Sequence, residues 1–391
     1  MPLGPIRQVA VVGAGMVPPT RRSGKTPLEL TAGALHAALE DAALTRDDVD
    51  GLFTNVGFPL SVDYDRMAEA FGLKLRCAMQ TWNHGRFVGT AVQAGANAVA
   101  LGLADVAVCL GGVNFSQFGL VGGALDVEGL RQGGGSHGEF PAYGMTAPGG
   151  GAAMAFQKYC ARYDYDTDLI SAVPIAFRKH AQLNPGAQLH KPINPELYLH
   201  EPRVIDPLRR ADFALLSDAG GAIILTTLQR ARDLPHPPVV IGGMQGLHAG
   251  TDEFIFAPPG LGVYSQGDAR RTEYNPVYGM AGLDGPADVD TLALYDAFSP
   301  NVAFVAERFG FAAEGDGLGW LQDGRIELGG ALPTNTAGGL LAEGHTAGWG
   351  HMVELTRQVR GQAGDRQVPR CEVAQWATTF GDSIIFHTDR G

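Results

Sequence analysis

The chain has 391 residues, 45% hydrophobic and 18% charged, enough to bury a large core in two closely packed halves. A net charge of −12 argues against bare nucleic acid as a partner, because phosphate binding wants a basic face. The four cysteines, Cys77, Cys109, Cys160 and Cys371, show neither a C-x-x-C pair nor close histidine spacing, so no metal site is expected.

In chain order, Gln8–Val12 is short, β-branched and apolar, and reads as a buried strand stopping at Gly13. Thr26-Pro27-Leu28-Glu29 opens a helix: Thr26 caps, Pro27 suits the first helical position, and Glu29 completes a capping box. Gly51–Val56 is a strand, Thr90–Leu101 an uncharged, Ala-rich helix buried all round, and Asp105–Leu110 a strand ending in Gly111-Gly112. Glycine pairs at the ends of apolar runs read as tight strand-to-helix turns. Residues 115–205 are rich in Gly, Pro, His and Tyr and read as long loops with a few helices. Gly220–Thr226 returns to strand character, and His236-Pro237-Pro238 reads as a linker. The second round starts with Val239–Gly242. Leu292–Tyr295 is a strand, Ser299–Phe309 and Thr346–Arg360 are helices, and Val373–Thr378 and Ser383–His387 are late strands. The expected division is 1–235 and 236–391, two α/β halves of similar order. No run is long enough to span a membrane and the start lacks a leader pattern, so a cytoplasmic protein is expected.

Val11-Val12-Gly13-Ala14-Gly15-Met16 begins like a dinucleotide fingerprint, but Pro18 and Pro19 forbid a helix on the turn, so a strand-end turn is expected. The string Asn335-Thr336-Ala337-Gly338-Gly339, then Glu343-Gly344-His345, then the helix ending Arg357-Gln358-Val359-Arg360-Gly361, resembles the C-terminal half of sterol-carrier-protein-x type thiolases. Ala100–Val106, Arg178-Lys179-His180-Ala181, Asp206-Pro207-Leu208 and Ser217-Asp218-Ala219-Gly220-Gly221 extend the resemblance over most of the chain. It implies a thiolase fold: two pseudo-symmetric βαβαβαββ halves in a five-layer α-β-α-β-α arrangement, plus a loop domain at about 115–205.

The departures carry more than the matches. The family's nucleophilic cysteine should stand at the mouth of the buried helix, where counting back from Gly102 reaches Gly85, with His84 and Arg86 beside it. The second cysteine should stand two residues before Gly381, and Thr379 is there. Without a thiolate at either place, no acyl group is stored by that route. Cys77, eight residues early, reads as structural. The family's Asn-Glu-Ala-Phe motif appears as Tyr295-Asp296-Ala297-Phe298, and Gly-His-Pro as Gly344-His345-Thr346. Thiolase-like lipid-transfer proteins that act as retro-aldolases share the lost cysteines, the Tyr-Asp-Ala-Phe string and a segment like Gly348-Trp349-Gly350-His351. Many of them have tyrosine where this chain has His345.

What the resemblance implies is retro-aldol cleavage of a β-hydroxyacyl-CoA, in the family's case of steroid side chains, with no bound cofactor beyond the coenzyme A of the substrate. Either Tyr295 or His345 is the base, and Asp296 orients or polarises its neighbour. Asn335 and backbone N–H groups near Gly85 and Gly381 are candidate oxyanion donors, and His84 a candidate substrate contact. His351, six residues after His345, would project about 120° from it on one helix and need not share its site. Arg178 and Lys179 are candidates for the coenzyme A phosphates. Expected partners are a second copy of the chain and a small OB-fold, zinc-ribbon protein completing a heterotetramer. A non-catalytic acyl-CoA-binding scaffold, or acyl transfer from an atypical nucleophile such as Thr379, are the alternatives.

Overall fold

The computed structural model describes residues 6–58, 60–81, 87–117, 148–248 and 275–391. The first round is β1 (Val9–Thr20), α1 (Pro27–Ala42), β2 (Gly51–Thr54), α2 (Tyr64–Phe71), β3 (Cys77–Gln80), α3 (Val88–Ala100) and β4 (Val106–Asn114). Then come α4 (Pro148–Tyr163), α5 (Ala172–Gln182), α6 (Pro195–His200), the short pair β5 (Arg203–Ile205) and β6 (Leu208–Arg209), β7 (Asp218–Thr227) and α7 (Leu228–Ala231). The second round is β8 (Val239–Gln245), α8 (Pro276–Met280), β9 (Thr291–Leu294), α9 (Pro300–Arg308), α10 (Gly317–Trp320), α11 (Gly339–Ala342), α12 (Trp349–Val359), β10 (Val373–Ala377) and β11 (Ser383–Thr388).

Nine of these strands form one mixed sheet in the order β3-β2-β4-β7-β1-β8-β11-β10-β9. β1 and β8 meet antiparallel at its centre. Outward from β1 the pairings run antiparallel to β7, antiparallel to β4, then parallel to β2 and β3. Outward from β8 they run antiparallel to β11, antiparallel to β10, then parallel to β9. An isolated parallel bridge, Leu292 to Thr334, continues that side by one step.

Local signals hold where they are local. Thr26 accepts from the Glu29 N–H at 3.2 Å and the Glu29 carboxylate accepts from the Thr26 N–H at 2.8 Å, the reciprocal box that starts α1. The glycines were misread. β1 does not stop at Gly13 but continues to Thr20, because Gly13 and Gly15 are where α1 lies against the strand. A Cβ on Gly13 would sit 2.4 Å from the Ala38 carbonyl oxygen, and one on Gly15 2.2 Å from the Ala38 nitrogen. β4 likewise runs on through Gly111 and Gly112, which pair with Gly221 and Gly220 of β7. Gly111 and Gly221 clear one face for Trp349 of α12, and Gly112 and Gly220 clear the other for α1. These pairs are close-approach positions inside strands, not turns.

The loop region contributes α4 and α5, whose Phe156, Tyr159 and Phe177 join the core formed with α9 and β9. Among the described residues no helix is long and apolar enough to cross a membrane.

Candidate active site

β9 is buried at all four residues and delivers the chain into the site. Its outer edge is covered by a single extended segment. The Leu292 N–H donates to the Pro333 carbonyl at 3.1 Å, and the Asn335 N–H donates to the Leu292 carbonyl at 2.9 Å. Asn335 then turns left-handed, φ 48°, a conformation asparagine tolerates. Its carboxamide closes on Leu294: Oδ1 accepts from Leu294 N–H at 2.9 Å and Nδ2 donates to the Leu294 carbonyl at 3.1 Å. The side chain thus imitates one more strand residue and fixes where Tyr295 and Asp296 leave β9. The geometry gives Asn335 this job in place of the expected oxyanion contact.

The Tyr295 hydroxyl lies 3.0 Å from His345 Nε2, and both residues are buried. His345 is held on every side. Its main-chain N–H donates to Ser217 Oγ at 2.9 Å, and its Nδ1 accepts from the Ala347 N–H at 3.3 Å. The Phe115 ring packs edge-on at 4.6 Å. Asn55 Nδ2 in turn donates to the Ala347 carbonyl at 2.9 Å. Burial pushes the His345 imidazole down to about 4, and the nearby His351 acts in the same direction.

Asp296 is fully buried and faces other groups. Its carboxylate accepts from Leu340 N–H at 3.0 Å and Leu341 N–H at 3.3 Å, at the start of α11, and lies 3.0 Å from His351 Nε2. It orients His351 and α11, and not the Tyr295 hydroxyl. The two histidines do not lie on one helix, as the expected span 346–360 is entered three residues late. α12 begins at Trp349 after left-handed Gly348, φ 87°, so His345 sits in the preceding turn. His351 Nδ1 has no hydrogen-bond partner among the described residues, and the residue lines a small cavity with Leu292, Leu355, Asn335, Glu343 and Glu354. Burial, and then the charge of Glu354, push the Glu343 carboxyl up to about 8. Glu354 itself is paired with Arg366 at 3.0 Å.

The remaining expected residues are scattered. The Gly381 N–H, a candidate oxyanion donor, donates to the Thr378 carbonyl at 3.1 Å. Lys179 is bound to Glu327 at 2.6 Å, and Arg178 donates to the Lys191 carbonyl at 3.0 Å. His84 and Gly85 lie outside the described residues. Cys109 is under α3 beside the Ala91 carbonyl, Cys160 lies on α4, Cys371 precedes β10 and Cys77 is on edge strand β3. Burial pushes the Cys160 and Cys371 thiols up to about 12, the opposite of what a nucleophile needs. Among the described residues no cluster of His, Cys, Asp and Glu could hold a metal.

Sequence reasoning missed Ser217, Ala347, Asn55 and Phe115 as the frame of His345. Ala347 has left-handed backbone, φ 53°, between Gly344 and Gly348, and that glycine spacing was the one visible hint.

Residues 270–385 match the model of the thiolase C-terminal domain-like family. Over 363 residues the chain is 34% identical to the 17-hydroxy-3-oxo-4-pregnene-20-carboxyl-CoA lyase of Mycobacterium tuberculosis, covering 90% of this chain and 92% of that one. Over 365 residues it is 32% identical to the steroid side-chain-cleaving aldolase of Thermomonospora curvata, covering 90% of each. The solved structure of the Ltp2-ChsH2(DUF35) aldolase covers the whole of both chains at a TM-score of 0.84 and 29% identity.

Proposed function

This chain belongs to the thiolase superfamily, in the lipid-transfer branch without the catalytic cysteines, and from that premise we propose that it is a carbon–carbon lyase performing retro-aldol cleavage of a steroid side-chain β-hydroxyacyl-CoA. A base takes the β-hydroxyl proton and the Cα–Cβ bond breaks. A ketone or aldehyde leaves, and the thioester enolate is protonated to the shortened acyl-CoA. No covalent acyl-enzyme is needed, which makes the missing thiols tolerable. The observation that carries this reading is the buried Tyr295–His345 hydrogen bond of 3.0 Å, a proton-moving pair in a chain whose thiols all lie elsewhere. The names of the two relatives, both similar over nine-tenths of the chain, supply the substrate class.

The matching order and sense of strands on either side of β1 and β8 support two halves related by duplication, 1–235 and 236–391, in the layered thiolase arrangement. β3 ends the sheet with Ala78 and Met79 exposed, an edge suited to a second copy of the chain. A DUF35-type partner, the expected OB-fold zinc-ribbon chain, is supported by the similar complex. Gly85 and His84 stay proposed contacts for the thioester. Arg178 and Lys179 stay proposed contacts for the coenzyme A phosphates, although Lys179 must first release Glu327. A cytoplasmic location is proposed with them.

The test is direct. The purified chain, alone and with a DUF35-type partner, is incubated with a steroid side-chain β-hydroxyacyl-CoA. Ketone and shortened acyl-CoA should appear in equal amounts, and mass spectrometry should find no acyl adduct on Thr379 or any cysteine. An adduct, or binding without cleavage, overturns the proposal.

A further inference from the structure

The Tyr295–His345 contact alone does not say which partner holds the proton between them. A neutral imidazole carries one N–H, and the other nitrogen is an acceptor. The second contact of the ring decides the matter. Ala347 N–H, which can only donate, points at His345 Nδ1 at 3.3 Å. Nδ1 is therefore the bare nitrogen. The turn that makes this contact is itself fixed, because Ala347 takes left-handed backbone, φ 53°, and Asn55 holds its carbonyl at 2.9 Å. Ser217 anchors the His345 main chain at 2.9 Å. A proton on Nδ1 would face another N–H head-on.

We propose that His345 is a fixed hydrogen-bond donor and not a base: its single ring proton sits on Nε2 and is given to the phenolic oxygen of Tyr295, so Tyr295 alone exchanges protons with the substrate. The part concerning substrate rests on the retro-aldol reading above; the placement of the ring proton does not. Tyr295 enters as the phenolate, its proton released to solvent. It takes the β-hydroxyl proton. The electron pair of that O–H bond forms the new carbonyl, and the pair of the Cα–Cβ bond passes to the thioester enolate. Cα then takes the proton back from Tyr295, which restores the phenolate. Protons and electrons balance, and His345 stays neutral throughout. A donor aimed at the phenolic oxygen favours the phenolate. The groups facing His345 agree with a neutral ring: Tyr295, the Phe115 edge, the Ser217 hydroxyl and the Ala347 N–H offer it no anion, burial outweighs the opposite pull of its own main-chain carbonyl, and the nearby His351 acts with burial.

The experiment has two arms. In the first, the full chain with 15N-labelled histidine is examined by NMR from pH 5 to 9. His345 should show a protonated Nε2 and a bare Nδ1, with no titration in that range. A protonated Nδ1, or a midpoint within the range, overturns the proposal. In the second, His345→Gln and His345→Phe are compared by kcat/KM against pH, with folding checked by circular dichroism. Glutamine can place an N–H near the position of Nε2, and phenylalanine cannot. The Phe variant should lose about 10- to 100-fold at pH 7. The Gln variant should recover most of that loss. Wild-type activity should rise along one alkaline limb and show none between pH 5 and 7. Equal loss in two folded variants overturns the donor role. A wild type that never cleaves substrate refutes the retro-aldol reading, while the NMR arm still decides where the ring proton sits.

Discussion

Tyr295 and Asp296 are neighbours at the end of β9, and each meets an imidazole, Tyr295 that of His345 just before α12 and Asp296 that of His351 within it. The surroundings of the two pairs differ. Tyr295 meets His345 through a hydrogen bond of 3.0 Å, in a frame where Ser217 and Ala347 hold the histidine. Asp296 gives its carboxylate to two main-chain N–H groups of α11 and to His351, at 3.0–3.3 Å. The first pair is built around a proton that can move. The second is built around an acceptor that must stay, because it holds the start of one helix and a side chain of another. Two acid–imidazole pairs a residue apart therefore divide chemistry from architecture, and residue type alone would not have separated them.

The sharpest way to break this contrast is Tyr295→Phe. The ring and its packing stay and only the oxygen goes. Loss of a proton-transfer group should lower kcat by about 10³-fold or more, roughly 4 kcal/mol of barrier. Stability should change by about 1 kcal/mol, the net worth of one hydrogen bond. Steady-state kinetics beside a thermal melt reads both. A variant that unfolds as readily as it loses activity would place Tyr295 with the architecture.

The mirror test is Asp296→Ala. It leaves the Leu340 and Leu341 N–H groups and His351 without their acceptor in the core, and should destabilise the fold by about 3 kcal/mol. Asp296→Asn keeps an acceptor for the N–H groups and should cost about half as much, with kcat of the folded protein within about 10-fold of wild type. Denaturant melts with kinetics on the folded fraction decide. If the Asn variant is folded yet as inactive as Tyr295→Phe, the second pair belongs to the chemistry and the contrast fails.

How far this could be seen beforehand follows from what each residue does. The capping box at Thr26 and Glu29 is three residues wide, so the sequence shows it whole. Tyr295 and His345 were legible as candidates because a phenol and an imidazole stood at positions where the family motif carries other groups or a kept histidine. Their relation was not legible. Ser217 and His345 are 128 residues apart, and only the packing of β7 against the turn before α12 joins them. Asn335 invited a catalytic role by its type, yet its amide substitutes for strand backbone. Gly111, Gly112, Gly220 and Gly221 read as turns because glycine marks both turns and close approach, and the helix that needs the room is distant in sequence.

The smallest effect sharpens the contrast from behind the second pair. Glu343 lines the cavity that His351 faces, and its carboxyl is pushed up to about 8. From the ordinary carboxyl value near 4.5 up to about 8, the folded chain keeps a proton that the unfolded chain has lost, so this group makes stability fall as pH rises. His180 and His345, both pushed down to about 4, have the opposite slope, but their contributions end near the ordinary imidazole value of 6.5. Between pH 6.5 and 8 the Glu343 effect stands clear of them. Glu343→Gln, which resembles the protonated acid, should lie within about 1 kcal/mol of wild type at pH 5. The variant should then gain on wild type by up to about 1.4 kcal/mol per pH unit through that window, with an unchanged pH–rate profile. Urea melts at pH 5, 6.5 and 8 measure the first quantity and kcat/KM over the same range the second. A rate profile that moves with Glu343 would connect the cavity to Tyr295 and join two pairs that the geometry keeps apart.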